Sequence, residues 1–400
     1  MTYDFDQYID RIGTQCSKWD FEREGGHVIQ ADNGKSPYAD DQLLPLWVAD
    51  MDFKSPPAVI EALEARARHG IFGYCKPDDG FYEAVVDWMA RRYGRSIDRD
   101  WIVITPGVVT ALKVFVQTFT EPGDKVLLQP PVYHPFYHAI EENGRIVERS
   151  PLKLNGRHYE MDFEDLARKT ADPAVKMAFL CSPHNPVGRV WTPQELKRYG
   201  DICRANHVLV IADEIHCDLV LNGHTFTSYA VVDETFAAES IVCTAPSKTF
   251  NLAGLHLSNI IVQDDEMRSR MRETMSRNGI GGINPFGLVA AEAAYCHGEP
   301  WLAELLEYIE GNFRYLQDYL TLHLPQLTVV PLEGTYLAWV NFGALGLGPA
   351  RRSKLLKEAA KVWFNSGAMF GPEGADFERI NIACPRDTLE EALERMRKVI

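Results

Sequence analysis

No two cysteines in this chain have the C-x-x-C spacing of a zinc knuckle or redox couple. The eight, Cys16, Cys75, Cys181, Cys203, Cys217, Cys243, Cys296 and Cys384, are scattered. They read as small core hydrophobes in a reducing compartment, not as staples or metal ligands. Long basic runs are missing too, since Lys and Arg reach only pairs such as Arg91–Arg92 and Arg351–Arg352. Against 41 Lys plus Arg stand 56 Asp plus Glu, a net charge of −15. Such a chain lacks the footprint of a nucleic-acid binder and has no attraction to anionic membranes. No apolar stretch approaches the ~20 residues of a membrane span. The start, Met1-Thr2-Tyr3-Asp4-Phe5-Asp6, has neither the basic residues nor the apolar run of a signal peptide. These absences predict a cytoplasmic protein. Repeats and low-complexity tracts are also absent, which removes solenoid architectures.

What is present is ordinary globular material: 400 residues, 46% apolar and 24% charged, ample for a large core. The first 45 residues are polar and turn-rich, an extended arm. From Ser55-Pro56-Pro57 helices and strands alternate. One helix runs to His69-Gly70, and a second lies between Asp78-Asp79-Gly80 and Tyr93-Gly94. Short apolar strands are expected at 101–105, 125–129, 175–181, 208–213, 240–244 and 258–262. A helix is expected over 108–119, and Thr192-Pro193-Gln194-Glu195 is a capping box opening another that ends near Asn206. This is α/β: a mainly parallel sheet between helices. After Asn284 long helices and strands at 327–331, 335–341 and 379–383 predict a smaller α+β domain. The division expected is an N-terminal arm (1–47) packing on the small domain, a large domain (48–289) and the small domain (290–400).

In such sheets ligands sit beyond the carboxyl ends of the strands. Lys248, in Thr244-Ala245-Pro246-Ser247-Lys248, follows a strand; it is a loop lysine or, near low-dielectric walls, an amine able to form a Schiff base with an aldehyde cofactor. Asp213 closes a strand as a turn cap or as the counter-charge that keeps a pyridine nitrogen protonated. His216, three residues on, is a surface histidine or a donor to such a ring's phenolic oxygen. Asn185, in the turn Ser182-Pro183-His184-Asn185-Pro186, could donate to the same oxygen. Tyr133 sits in a proline-fixed loop, to pack or to stack on a planar ring. Pro106-Gly107-Val108-Val109 opens a helix whose first amides suit a phosphate. Arg379, at the expected start of a strand in the small domain, is an ion-pair partner or a fork for an α-carboxylate, with Arg386 as competitor.

The order of these features resembles the fold-type I pyridoxal-phosphate enzymes, the aspartate aminotransferase superfamily. The strings Pro45-Leu46-Trp47-Val48-Ala49-Asp50-Met51-Asp52-Phe53, Phe72-Gly73-Tyr74, Ala212-Asp213-Glu214-Ile215-His216, Pro246-Ser247-Lys248-Thr249-Phe250-Asn251-Leu252-Ala253-Gly254 and Ala383-Cys384-Pro385-Arg386 look like the MalY/PatB group of cystathionine β-lyases. The resemblance implies pyridoxal 5'-phosphate as cofactor, with Lys248 as its Schiff-base lysine and Asp213 on the ring nitrogen. Asn185 falls near the phenolic oxygen, Tyr133 on the ring face and Arg379 on the substrate carboxylate. It implies a homodimer with a shared site, Tyr74 reaching the partner's phosphate. The activity implied is β-elimination on a small sulfur amino acid, L-cystathionine or cysteine, giving a thiol, pyruvate and ammonia. An aminotransferase is the alternative, and a regulatory binding protein the more distant one. Tyr133, Tyr74 and Lys248 are the candidates for protonating the leaving sulfur. Two departures stand out: His256 occupies the place of a phosphate arginine, and Ala245 that of a serine. Phosphate binding then leans on Ser247, the amides of Val108 and Val109, and Tyr74.

Overall fold

The computed structural model describes residues 2–24, 27–30, 38 and 42–400. Part of the expected extended arm (1, 25–26, 31–37 and 39–41) lies outside the described residues. Within the arm, Phe21–Glu24 and His27–Gln30 pair as antiparallel strands, a departure from the extended reading.

Seven strands make the large sheet, in the order Ile102–Thr105, Ser258–Val262, Ser240–Thr244, Leu209–Asp213, Val175–Cys181, Lys125–Leu128 and Ile146–Arg149. Ser258–Val262 runs antiparallel to both neighbours; the other pairings are parallel. Because side chains alternate along a strand, each strand feeds two cores. Met177, Phe179 and Cys181 join Ile211, Cys243 and helix Val108–Phe119 on one face, while Ala178, Leu180, Val210, Ala212 and Val242 face the other. That double burial is why these strands read as unbroken apolar runs. It also leaves the polar residues at their carboxyl ends on one edge of the sheet.

The capping box forms, with Thr192 and Glu195 exchanging bonds at the start of helix Pro193–Ala205. Beyond Asn284, which caps helix Pro285–His297, the 25-residue helix Glu299–His323 packs on a four-stranded antiparallel sheet. In that sheet Arg379 lies mid-strand, within Phe377–Asn381, not at a strand start. Leu44–Pro45 pairs with Val362–Trp363, and Phe5 packs edge-on against Phe53 and Trp301. All eight cysteines are free, but only five are buried; Cys296 is exposed, unlike a core hydrophobe. Among the described residues no helix is long and apolar enough to cross a membrane.

Candidate active site

The carboxyl edge of the large sheet opens into a cavity of ≈ 300 Å³. Lys248, Asp213, Asn185, His216, Tyr133, Ser247, Val108 and Val109 all line it, as do Ala49, Thr110, His256 and Ser258. Eight residues singled out from sequence thus meet in one place.

Asp213 ends its strand fully buried. One carboxylate oxygen accepts from the Ile215 amide at 3.2 Å, so the turn-cap reading holds. Its other oxygen has no hydrogen-bond partner among the described residues, and burial pushes the acid up to about 7. A buried carboxylate left half-satisfied calls for a cation or a proton. His216 is buried, not on the surface, and its Nδ1 has no hydrogen-bond partner among the described residues; burial holds its ring neutral. Tyr133 is half-buried, and desolvation of its hydroxyl raises it to about 12 and keeps it protonated.

Lys248 sits on the short helix Pro246–Thr249. Its Nζ donates to the Ala49 carbonyl at 2.6 Å, and the Tyr336 hydroxyl donates to the same oxygen at 2.9 Å. Burial drives the amine down to about 8 despite the nearby carboxylates of Asp50 and Asp213. Across the cavity, Gly107 takes φ 155°, a conformation side chains disfavour, and turns the chain into helix Val108–Phe119 with its first amides uncapped. These amides line the same cavity as Ser247 and His256, a lining suited to an anion.

Arg379 is buried without a carboxylate partner among the described residues, so the ion-pair alternative falls. Its Nη1 donates to Asn185 Oδ1 at 3.1 Å and its Nη2 to the Trp47 carbonyl at 2.9 Å and to Asn365 Oδ1. Its Nε has no hydrogen-bond partner among the described residues. Arg386 points elsewhere, donating to Asn312 at 2.8 Å and stacking over Tyr315. Tyr74 is not in this chain's cavity; its relative exposure is 110%.

Sequence reasoning missed the strap Trp47–Phe53 that closes one side of the site. Its carbonyls are taken almost one by one by side chains. Arg379 holds Trp47, Asn381 holds Val48 and Asp50 (both 2.6 Å), and Asn251 holds Met51 and Phe53 (both 2.9 Å). Lys248 and Tyr336 share Ala49.

These residues fit pyridoxal phosphate. A half-satisfied buried carboxylate suits a protonated ring nitrogen and the uncapped amides suit a phosphate, with a low-pKa amine in the same cavity and no competing built metal site. Among the described residues, no group of three or more His, Cys, Asp or Glu could hold a metal ion.

Comparison with known proteins agrees. The chain matches the family model for aminotransferase class I and II over residues 41–396. It is 44% identical over 396 residues to cystathionine beta-lyase PatB of Bacillus subtilis, with 99% of each chain covered. Protein MalY of Escherichia coli is 33% identical over 393 residues, covering 98% of this chain and 97% of the relative. Among solved structures, cystalysin from Treponema denticola, which contains a pyridoxal 5'-phosphate cofactor, aligns with a TM-score of 0.93 at 35% identity, covering 100% and 99% of the two chains. The PLP-bound C-S lyase from Staphylococcus hominis aligns at 0.87 and 32% identity, covering 99% and 98%.

Proposed function

The chain belongs to the aminotransferase class I and II family, and from that membership we propose that it is a fold-type I, pyridoxal-phosphate-dependent carbon–sulfur β-lyase that cleaves L-cystathionine and related S-substituted cysteines. The observation that carries the reading is the meeting of Lys248 and Asp213 in one cavity, with Arg379 bonded to Asn185 of its wall, in a chain 44% identical to a cystathionine beta-lyase. We assign the carboxyl edge of a large domain (48–289) to the cofactor, a small domain (290–400) to the substrate carboxylate, and to the arm (1–47) the support of the strap.

When bound, the cofactor supplies an electron sink for the electrons left on Cα as its proton departs. The chain does the rest. Arg379, already aligned by Asn185 and Asn365 and lacking a counter-ion, receives the α-carboxylate through its free donors. Lys248 Nζ, near neutrality at about 8, takes the α-proton as general base. Asp213 would hold the ring nitrogen of that cofactor, and its negative charge would keep the sink electron-poor. Tyr133, Asn185 and His216, which line the same cavity, would hold the ring. With the α-proton gone, the Cβ–S bond breaks and the sulfur leaves as a thiol once protonated. Water completes the balance: cystathionine gives homocysteine, pyruvate and ammonia. We further assign the protein to the cytoplasm and to a homodimer whose Tyr74 serves the neighbouring site.

The test supplies cofactor-loaded protein with L-cystathionine and no 2-oxo acid. Equal release of homocysteine, pyruvate and ammonia, lost in Lys248→Ala, is expected. Turnover only after a 2-oxo acid is added would make the protein an aminotransferase.

A further inference from the structure

Asp50 follows directly on Ala49, whose carbonyl holds the Lys248 amine at 2.6 Å. Its carboxylate is gripped by Arg11, from the N-terminal arm, through Nη2–Oδ2 at 2.7 Å and Nη1–Oδ1 at 3.3 Å. The same Nη1 reaches Asp52 Oδ1 at 2.6 Å and the Met51 carbonyl at 3.1 Å. Asp52 is otherwise satisfied by Lys18 at 2.5 Å and Trp19 Nε1 at 2.9 Å. Lys18 stands back from Asp50, at 3.8 Å. Two cations therefore meet two anions, but unevenly: Asp52 is saturated, whereas Asp50 depends on Arg11.

We propose that Asp50, on the strap, and Arg11, on the N-terminal arm, are positioning residues, a charge pair that sets the pH at which the amine of Lys248 gives up its proton. The inference rests on Lys248 being the base of the proposed reaction. The other groups facing the amine are accounted for. Asp213 lies at the end of its strand, with His216 in the turn beyond it. Arg379 comes from the small sheet, Tyr336 from the bend just before its strand Leu337–Asn341, and Tyr133 from the loop after Lys125–Leu128. Asp50 leads the charges that favour the ammonium, ahead of Asp213, and Arg379 opposes both. The arm thus reaches the chemistry through one electrostatic contact, not through a side chain in the cavity.

The test uses opposite substitutions in the cofactor-loaded protein. The readout is pH titration of the bound cofactor's absorbance, which reports the proton on the nitrogen contributed by Lys248. Asp50→Asn removes an anion and is expected to move the midpoint down by about one pH unit; Arg11→Gln unmasks that anion and moves it up by a similar amount. The double variant is expected to return near the parent midpoint. Arg11→Lys keeps the charge without the fork and is expected to leave the midpoint in place, which guards against a misfolded Arg11→Gln. A second readout needs no bound cofactor. The pH dependence of Lys248 labelling by acetic anhydride in cofactor-free protein, followed by mass spectrometry, is expected to shift in the same two directions. If no cofactor absorbance develops, the proposed function fails while the labelling still decides this inference. Shifts in the same direction, or none in either readout, overturn it.

Discussion

Lys248 and Asp213 carry opposite electrostatic burdens created by the same burial. The amine is pushed down to about 8 and the carboxyl up to about 7. Lys248→Ala removes the proposed base and the proposed attachment point of the cofactor, so pyruvate release is expected to fall by at least ~10³-fold, with an unchanged circular dichroism spectrum. For Asp213 the sign of the pH effect can be worked out. Its folded pKa is raised, so the cofactor-free protein holds the proton more tightly than the unfolded chain. Stability therefore falls as pH rises from about 4 towards 7. Glu214, also raised to about 7 by burial, adds the same slope to both forms. A bound ring cation lets Asp213 ionise without that cost. The melting-temperature gap between loaded and cofactor-free protein is thus expected to widen between about pH 5 and pH 8. A constant gap across that range would show that Asp213 does not face the ring cation. These residues were legible because each follows an apolar run, where a polar side chain can only face the sheet's open edge. His216 was less so: nothing in its neighbours indicated that the turn after Asp213 folds inward.

The strap Trp47–Phe53 shows where legibility ended. Its string marked a resemblance, but its structural role resides in carbonyl oxygens, which no side-chain pattern encodes. The donors that hold it, Asn251, Tyr336, Arg379 and Asn381, lie far away along the chain and meet only after both sheets have formed. Asn381 is fully buried, donates to Val48 and Asp50 and accepts from the Ala383 amide at 2.8 Å. Asn381→Ala leaves two carbonyls and an amide without that partner, which is expected to cost about 2–4 kcal/mol. Denaturant unfolding of the loaded protein measures it, and a loss below about 1 kcal/mol would mean that water replaces the amide. The large sheet, by contrast, was readable almost strand by strand, because burial on both faces forces a composition that its neighbours in sequence do not share. The reversed strand Ser258–Val262 could not be read this way, since apolarity carries no direction.

The surface around helix Pro57–His69 and the loop after it leaves apolar groups in water. Ile71, Phe72 and Tyr74 are exposed there at 66%, 57% and 110%, although Phe72 stacks on Phe286 at 5.6 Å. The proposed two-fold dimer would bury such a patch and bring each Tyr74 near the neighbour's cavity, whose proposed phosphate end has His256 in the place of an arginine. The arrangement makes a prediction that a monomeric site cannot satisfy. Lys248→Ala and Tyr74→Ala damage the same site from different chains. In a mixed dimer, the cavity carried by the Tyr74→Ala chain keeps its own lysine and receives an intact tyrosine from the other subunit. The opposite cavity has neither. Unfolding and refolding an equal mixture of the two variants at limiting cofactor is therefore expected to restore about a quarter of the parent activity, since half the dimers are mixed and each has one whole site. Sedimentation would show dimers throughout. If activity never exceeds the average of the two variants, Tyr74 serves its own chain's surface and the cavity is complete within a single subunit.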